Sequence, residues 1–451
     1  MSVLSALLPE RIYRWNFTVM GLDYSLFLLG LSFASVYGVL PLFVHHLTPS
    51  NLALGLIAAV RSAGFLVPPI LVAGVVERLR RKKPFVVGTT VLERLPYLVL
   101  AAATPLLAGS HPTALLWLFF AMIGAGTLFG GLGTPAWLDL LARMLPGDWR
   151  GRFFGLAAAL GGLLGIAGSA GAAELLHRFA WPAGFALCYA CTFACLVVSF
   201  VFICLGREPA PAAATTAPRP AAATTAPRPA AASYWRRLPT IVRGDRNFGR
   251  YLAAMALITL AGMATSFYTV DARRSLHLTD AGAGLYTVVL LATSTIGNVL
   301  WGYVGDHHGH KRIVEGGAVC TGLAALLALL ARDAPWGTVG YGVVFLLVGL
   351  ASSAIQLASL TFIIDFAPPA QRPTYIGLAT LAQAPFACGA PLLGGVIADR
   401  AGYPAVFILT AVLAAGGALI VLLSIVDPRM RPEQAAPVPE RTTHVEDTSG
   451  R

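Results

Sequence analysis

Three ionisable side chains stand deep inside apolar stretches of the sequence. Glu93 and Arg94 lie nine and ten residues into a run that opens near residue 84, and Arg61 lies about ten residues into the run 51–76. A charge at the centre of such a span costs roughly 2.5–3.5 kcal/mol on insertion scales, so these residues point first to a substrate pathway or a proton relay. A carboxylate held between desolvation and a neighbouring guanidinium has the two opposed influences that a proton-coupling group needs. Adjacent helical residues project about 100° apart, so Glu93 and Arg94 cannot both face one point. One arrangement pairs Glu93 with Arg61 or Arg94 across helices. An unpaired Arg61 facing a cavity would favour an anionic or carboxylate-bearing substrate. The competing account is a static ion pair that pins the second helix to the third.

Uncharged polar residues in the apolar runs are weaker signals, because Ser and Thr also bond their own helix backbone. Asn298, Gln356 and Gln383 are the better candidates, being costlier to leave against lipid. Asp23 and Asp139 fall near span ends and read as hydrated interface charges. His307, His308 and His310 read as solvated loop residues rather than metal ligands. Cys188, Cys191 and Cys195 follow one helical face and read as small packing groups. No metal site and no cofactor is expected.

The elements that carry these residues follow from composition. Of 451 residues 57% are hydrophobic and 12% charged, about half the charge of a soluble globular chain. The apolar residues come in blocks of about 20, enough to cross about 30 Å of hydrocarbon. Twelve spans are expected: 18–44, 51–76, 84–108, 112–142, 152–176, 181–205, 248–272, 280–305, 311–331, 336–365, 372–398 and 403–426. No removable signal peptide is apparent. With the N-terminus in the cytoplasm, 25 of the 32 Lys and Arg fall in cytoplasmic segments and 5 in outside loops. The positive-inside rule therefore places both termini in the cytoplasm. It also assigns the net charge of +11 to lipid headgroups rather than to nucleic acid.

A linker divides the spans. Residues 206–247 contain AAATTAPRP twice in succession, at 212–220 and 221–229, a composition that cannot build a core and predicts disorder. A shift of 222 residues superposes WPAGFAL at 181–187 on YPAVFIL at 403–409, with Arg178 on Arg400, Arg150 on Arg372 and Gly155 on Gly377. The expected organisation is an all-α membrane protein of two parallel six-helix repeats. The first half is 1–205, the linker 206–247, the second half 248–426, and 427–451 a disordered tail. Parallel repeats of this kind hold substrate between the halves near the bilayer midplane.

At this point the chain resembles the major facilitator superfamily. That family carries a Gly-x-x-x-Asp-Arg-x-Gly-Arg-Arg/Lys loop between its second and third helices, echoed between the eighth and ninth. Here the second copy is clear in Gly302, Asp306, Gly309, Lys311 and Arg312. The first is degraded: Ala73 replaces glycine, Glu77 the aspartate and Arg80 the later glycine, while Arg78, Arg81, Lys82 and Lys83 keep its basic character. PLLGGVIADRAGY at 391–403 is also typical, and ERLRRKKPFVV with ERLP at 93–96 resembles a prokaryotic subgroup. The resemblance implies alternating access. Glu77, Arg78, Arg81, Gly302, Asp306, Lys311 and Arg312 would form a latch whose pairs hold in one state and break in the other.

The expected protein is a monomeric, multi-pass inner-membrane carrier of a small solute, in contact with membrane lipid and not an enzyme. Proton-coupled efflux of an amphiphile is favoured, because the cavity candidates are few and mostly apolar. A nutrient or organic-anion uptake symporter is the alternative, followed by a non-transporting sensor on a transporter fold. No phosphate-cradling loop is present to bind ATP.

Overall fold

The computed structural model describes residues 2–209, 244–366 and 372–426. The duplicated AAATTAPRP stretch and the tail lie outside the described residues. All regular structure among those described is helical. The first half holds α1 (Ser2–Phe33), α2 (Val39–Leu47), α3 (Asn51–Leu66), α4 (Pro68–Arg78), α5 (Lys83–Leu107), α6 (Pro112–Met144), α7 (Gly147–Arg178) and α8 (Ala183–Leu205). The second holds α9 (Arg246–Ala261), α10 (Tyr268–Ser275), α11 (Asp280–His308), α12 (His310–Ala331), α13 (Gly337–Phe366) and α14 (Arg372–Ser424).

These segments join into twelve passes, and the joins have local causes. The expected continuous span 51–76 is broken at Val67, because Pro68 and Pro69 lack the amide hydrogen and clash with the preceding turn. The first span breaks between α1 and α2, where the Ser35 hydroxyl accepts the Tyr37 amide at 3.2 Å in place of a helical bond. A 3₁₀ turn, Gly262–Ser266, interrupts the seventh pass. Gly402, with φ +77°, separates the last two passes within α14, a conformation glycine adopts without steric cost. Among the described residues ten helices are long and apolar enough to cross a membrane, one of them the 50-residue Tyr375–Ser424 that bends at this glycine. Large apolar side chains cover the outside, as Leu71, Leu106 and Val299 do. That surface fits a hydrocarbon environment in which the backbone must satisfy itself.

Both halves pack in one pattern. In the first, α5 lies against α6 and α8, α3 against α6, and α1 against α7 and α8; in the second, α12 lies against α13 and α14, α11 against α13, and α9 against α14. An asparagine closes each half on itself. Asn16 donates to Arg207 O at 3.0 Å and accepts from Arg207 N at 2.9 Å. Asn247 does the same with Val426, at 2.7 and 3.0 Å. The matched motifs also do matched work: Phe185 packs on Phe43 of α2 (5.7 Å between centroids), and Phe407 stacks on Tyr268 of α10 (5.0 Å).

The buried apolar residues separate into three clusters. One runs through both halves, from Phe43, Phe119 and Tyr189 to Tyr268, Tyr341 and Phe407. The other two are confined to one half each, around Met144 and Phe153 and around Tyr251 and Phe362. The halves are therefore fused at one end and parted at the other, where the basic run Arg78 to Lys83 lies. The fused end depends on close backbone approach of α3 to α14. A Cβ on Gly55 would fall 2.0 Å from Pro391 O. Overpacking of this kind costs about 1–3 kcal/mol. Gly55→Ala is therefore expected to part the fused end and lower transport roughly tenfold, with the folded monomer peak retained on size-exclusion chromatography.

Candidate functional site

Arg94 is the centre of a buried polar network in the first half. It is 4% exposed, and three bonds occupy its guanidinium: Nε to Leu196 O at 2.6 Å, Nη1 to Thr90 O at 3.0 Å and Nη2 to Ser199 Oγ at 3.0 Å. Ser199 Oγ in turn donates to Asp23 Oδ1 at 2.6 Å, and Arg94 Nη2 stands 3.8 Å from the same oxygen. The rings of Phe27 and Phe200 face the guanidinium at 5.9 and 5.7 Å. The network ties α1, α5 and α8 together. It corrects the expectation for Asp23, which is 4% exposed and no interface charge. Helix α1 begins at Ser2, and its apolar part at Glu10, well before the expected residue 18. Asp23 is therefore deep in the helix rather than near its end. Asp139 is 42% exposed and pairs with Lys82 at 3.2 Å and Arg143 at 3.3 Å, as an interface charge does.

Glu93 shares a cavity with Arg94 but not its bonds. Its carboxylate makes only a long ion pair, 3.8 Å to Arg94 Nη1, and accepts no hydrogen bond among the described residues. It lines a cavity of about 200 Å³ with Arg94, Asp23, Tyr24, Phe27, Phe65 and Trp137. Glycine on α6 makes room for it, because a Cβ on Gly130 would meet Glu93 Oε1 at 2.5 Å. Tyr24 stacks on Trp137 at 5.9 Å, so one wall is aromatic. Arg61 does not line this cavity. It sits one turn from Phe65 with its guanidinium 5.8 Å from that ring, and forms no ion pair or hydrogen bond among the described residues. Its charge nevertheless reaches Glu93 and Tyr97.

The remaining candidates are not brought to the cavity. Asn298 and Gln356 are exposed and Gln383 is half-buried, and none of these side chains makes a hydrogen bond among the described residues. The side chains of Glu77 and Asp306 lie outside the described residues. Arg78 and Arg81 are exposed, and Gly302 has open space around it. Lys311 donates to Leu422 O at 3.0 Å, and Arg312 pairs with Glu315 at 2.9 Å, both within the second half. His307 and His308 are exposed, but His310 is buried at the start of α12. No group of three metal-ligating side chains occurs among the described residues.

Sequence reasoning missed the polar closure at the fused end. Asp399 of α14 accepts Asn51 N at 2.8 Å, Asn51 Nδ2 at 2.9 Å, Leu52 N at 3.0 Å and Ser50 Oγ at 3.3 Å. It thereby caps α3, a helix of the other half whose own Ser50 makes no side-chain cap. Tyr403 donates to Asn51 Oδ1 at 2.5 Å. Beside it Asp280 meets His46 at 2.5 Å and Arg273 at 2.6 Å. A second buried carboxylate, Asp271, accepts from Tyr341 and stands 3.4 Å from Arg332. Buried charge thus also occurs in the second half, but at helix ends, since Asp271 lies four residues before the end of α10 and Asp280 opens α11. ADR in the 391–403 stretch was visible, but nothing local could tell that its aspartate caps a helix some 350 residues away.

Comparison with known proteins agrees with this architecture. The chain is 26% identical over 320 residues to the uncharacterized protein Rv2209 of Mycobacterium tuberculosis (strain ATCC 25618 / H37Rv), covering 67% of this chain and 57% of that protein. The chain thus spans somewhat over half the length of the curated relatives it matches. In structure it is similar to the D-xylose–proton symporter (TM-score 0.68, 14% identity, 92% of this chain and 98% of that one). It is also similar to a point mutant of the nucleoside transporter NupG (TM-score 0.66, 13% identity, 91% and 99%). The Major Facilitator Superfamily profile matches residues 23–272 and 251–449. With that match over most of its length, the chain belongs to the Major Facilitator Superfamily, a family of multi-pass membrane transporters.

Proposed function

We propose that this protein exports a small amphiphilic solute from the cytoplasm in exchange for protons, by alternating access between the two halves. One observation carries the reading. Glu93 lines an aromatic cavity on the parted side of the molecule and, among the described residues, has no hydrogen bond to hold it in one protonation state. A carboxylate so placed serves proton and substrate in turn.

The basic end is the cytoplasmic one, since 25 of 32 Lys and Arg belong there by the charge count. The cavity therefore opens inward and the Asp399 cap closes the outside. Matched packing, matched asparagine rings and the two profile matches support a repeat with halves 1–205 and 248–426. When the inner ends close, Lys311 and Arg312 exchange Leu422 O and Glu315 for partners across the seam, and Glu77, Arg78, Arg81 and Asp306 complete the latch.

Asp399→Asn tests the cycle. Bonds to a charged acceptor contribute about 1.5–3 kcal/mol each when buried, and less where water reaches them. A net loss of about 2 kcal/mol would shift the outward-open population roughly thirty-fold. The expected readout is a longer distance between spin labels at His111 and Asp333, with the six native cysteines replaced. The function itself is tested by counterflow in proteoliposomes against labelled solutes, with and without a proton gradient. Gradient-driven accumulation of an amphiphile on the side facing away from the basic loops supports the reading, and flux indifferent to pH overturns it.

A further inference from the structure

We infer that the groove between α12 and α14 is a binding site for an anionic phospholipid of the phosphatidylglycerol type, with one acyl chain in the groove and the phosphate on Lys311 and Arg312. The inference goes beyond the proposed transport reading and takes from it only the leaflet to which the lipid belongs.

The groove holds about 460 Å³ and shares no lining residue with the Glu93 cavity. Small residues make its floor: Gly322 on α12, and Ala411, Ala414, Ala415 and Ala418 on α14. Beside them Val319, Leu323, Leu326, Leu419 and Leu422 are 49–55% exposed, as side chains that meet hydrocarbon are. A hollow in that surface forfeits dispersion contacts if left empty. From Glu315 to Leu326 it runs about 16 Å at 1.5 Å per residue. That is roughly half of a hydrocarbon core of about 30 Å, the reach of a tail from one leaflet.

The polar end selects the lipid. Leu422, which lines the groove, accepts from Lys311 Nζ through its carbonyl oxygen at 3.0 Å. Glu315, which also lines it, meets Arg312 at 2.9 Å and Lys311 at 3.7 Å. Both cations are thus one contact away from the wall of the groove. Arg250 joins them from α9, its Nη1 donating to Ser424 O at 2.9 Å, two residues beyond Leu422. Three cations therefore gather where Glu315 is the one lining carboxylate among the described residues. Glu315 is 12% exposed and Arg312 62%, so the carboxylate is held inward and the guanidinium outward. Arg312 spends one of its five donors on Glu315 among the described residues, and the rest of its planar fork suits a phosphate. A phosphodiester with a single negative charge answers the positive surplus, whereas a head group with its own ammonium would add a cation to it. By the charge count this end is cytoplasmic, which makes the lipid one of the inner leaflet. Small residues alone would serve a partner helix equally well; the basic end is what favours the lipid.

The test uses the purified full chain in phosphatidylcholine nanodiscs with a trace of phosphatidylglycerol that carries a photoactivatable diazirine on one chain. After irradiation the labelled peptides are mapped by mass spectrometry. Labelling should concentrate at 319–326 and 411–422. Unlabelled phosphatidylglycerol should displace it at least tenfold more effectively than phosphatidylethanolamine. Ala415→Leu puts a larger side chain at an exposed floor position and should remove most of the groove labelling. Lys311→Gln combined with Arg312→Gln should leave a labelled groove that no longer prefers phosphatidylglycerol. Labelling spread evenly around the helices overturns the site, and equal competition by phosphatidylethanolamine overturns the anionic head group. A preference that survives the double substitution overturns the role of Lys311 and Arg312. A groove free of label in a chain that elutes as a dimer gives the groove to a second copy and overturns the lipid. None of these readouts is a flux, so a failure of the transport reading leaves this site standing, and the reverse.

Discussion

Glu93→Gln is expected to abolish proton-driven accumulation while leaving exchange of substrate down its own gradient measurable. The substitution keeps the shape of the side chain and its place beside Gly130, so the cavity survives. Of the two carboxylates that line the cavity among the described residues, it removes the one that accepts no hydrogen bond there. Asp23 cannot take its place, because releasing it would break the bonds to Ser199 and strand Arg94. The loss in gradient-driven flux should be on the order of a hundred-fold, the lower end of what a positioned proton-transfer group contributes. The measurement is uptake into inside-out proteoliposomes with an imposed pH step, beside counterflow at equal pH. Wild-type coupling in the variant would sink the assignment.

Arg94→Met should damage the fold rather than the coupling alone. The guanidinium satisfies Leu196 O, Thr90 O and Ser199, and compensates Asp23, both side chains being about 4% exposed. Removing one partner of a buried ion pair costs about 3–5 kcal/mol, mostly because the other charge is left uncompensated. The expected outcome is a large fall in the yield of monodisperse protein and in its thermal midpoint. Asp23→Asn in the same chain should restore part of the loss, since it removes the stranded charge. A double variant no better than Arg94→Met would show that the pairing with Asp23 is not what Arg94 supplies. This contrast with Glu93 is the physical content of their neighbouring positions: both line the cavity, but one is bonded to its own helix and to α8 and the other accepts no hydrogen bond among the described residues.

The sequence made the passes readable because apolar length and charge asymmetry are local quantities, summed residue by residue. It made the repeat readable because PAVFIL and PAGFAL keep the residues that pack the sixth helix of each half. It marked Glu93, Arg94 and Arg61 because charge inside apolar sequence is conspicuous. It did not separate their roles, which depend on where Ser199, Leu196 and Gly130 arrive from α8 and α6. Asp23 was misjudged for a simpler reason: the polar first turns of α1 hid the true start of the helix, and depth was measured from the wrong place. Asn298, Gln356 and Gln383 were chosen for the cost of facing lipid, but composition does not say which flank of a helix meets the other half. The Asp399 cap joins residues some 350 positions apart, a distance at which no periodicity carries information.

The two asparagine rings have a consequence for how such a chain can be made. Asn16 fastens the first helix of its half to the backbone just past the sixth, and Asn247 fastens the seventh to the backbone just past the twelfth. Each ring closes before the connecting stretch 210–243 begins or after it ends. The peptide bonds of that stretch are therefore not what holds either ring shut. Two separately translated polypeptides, divided there, would each keep its own clasp and could meet in the bilayer as subunits of one carrier. A gene duplication that first gave a pair of such subunits, and only later a fusion, would need no new contact at the join.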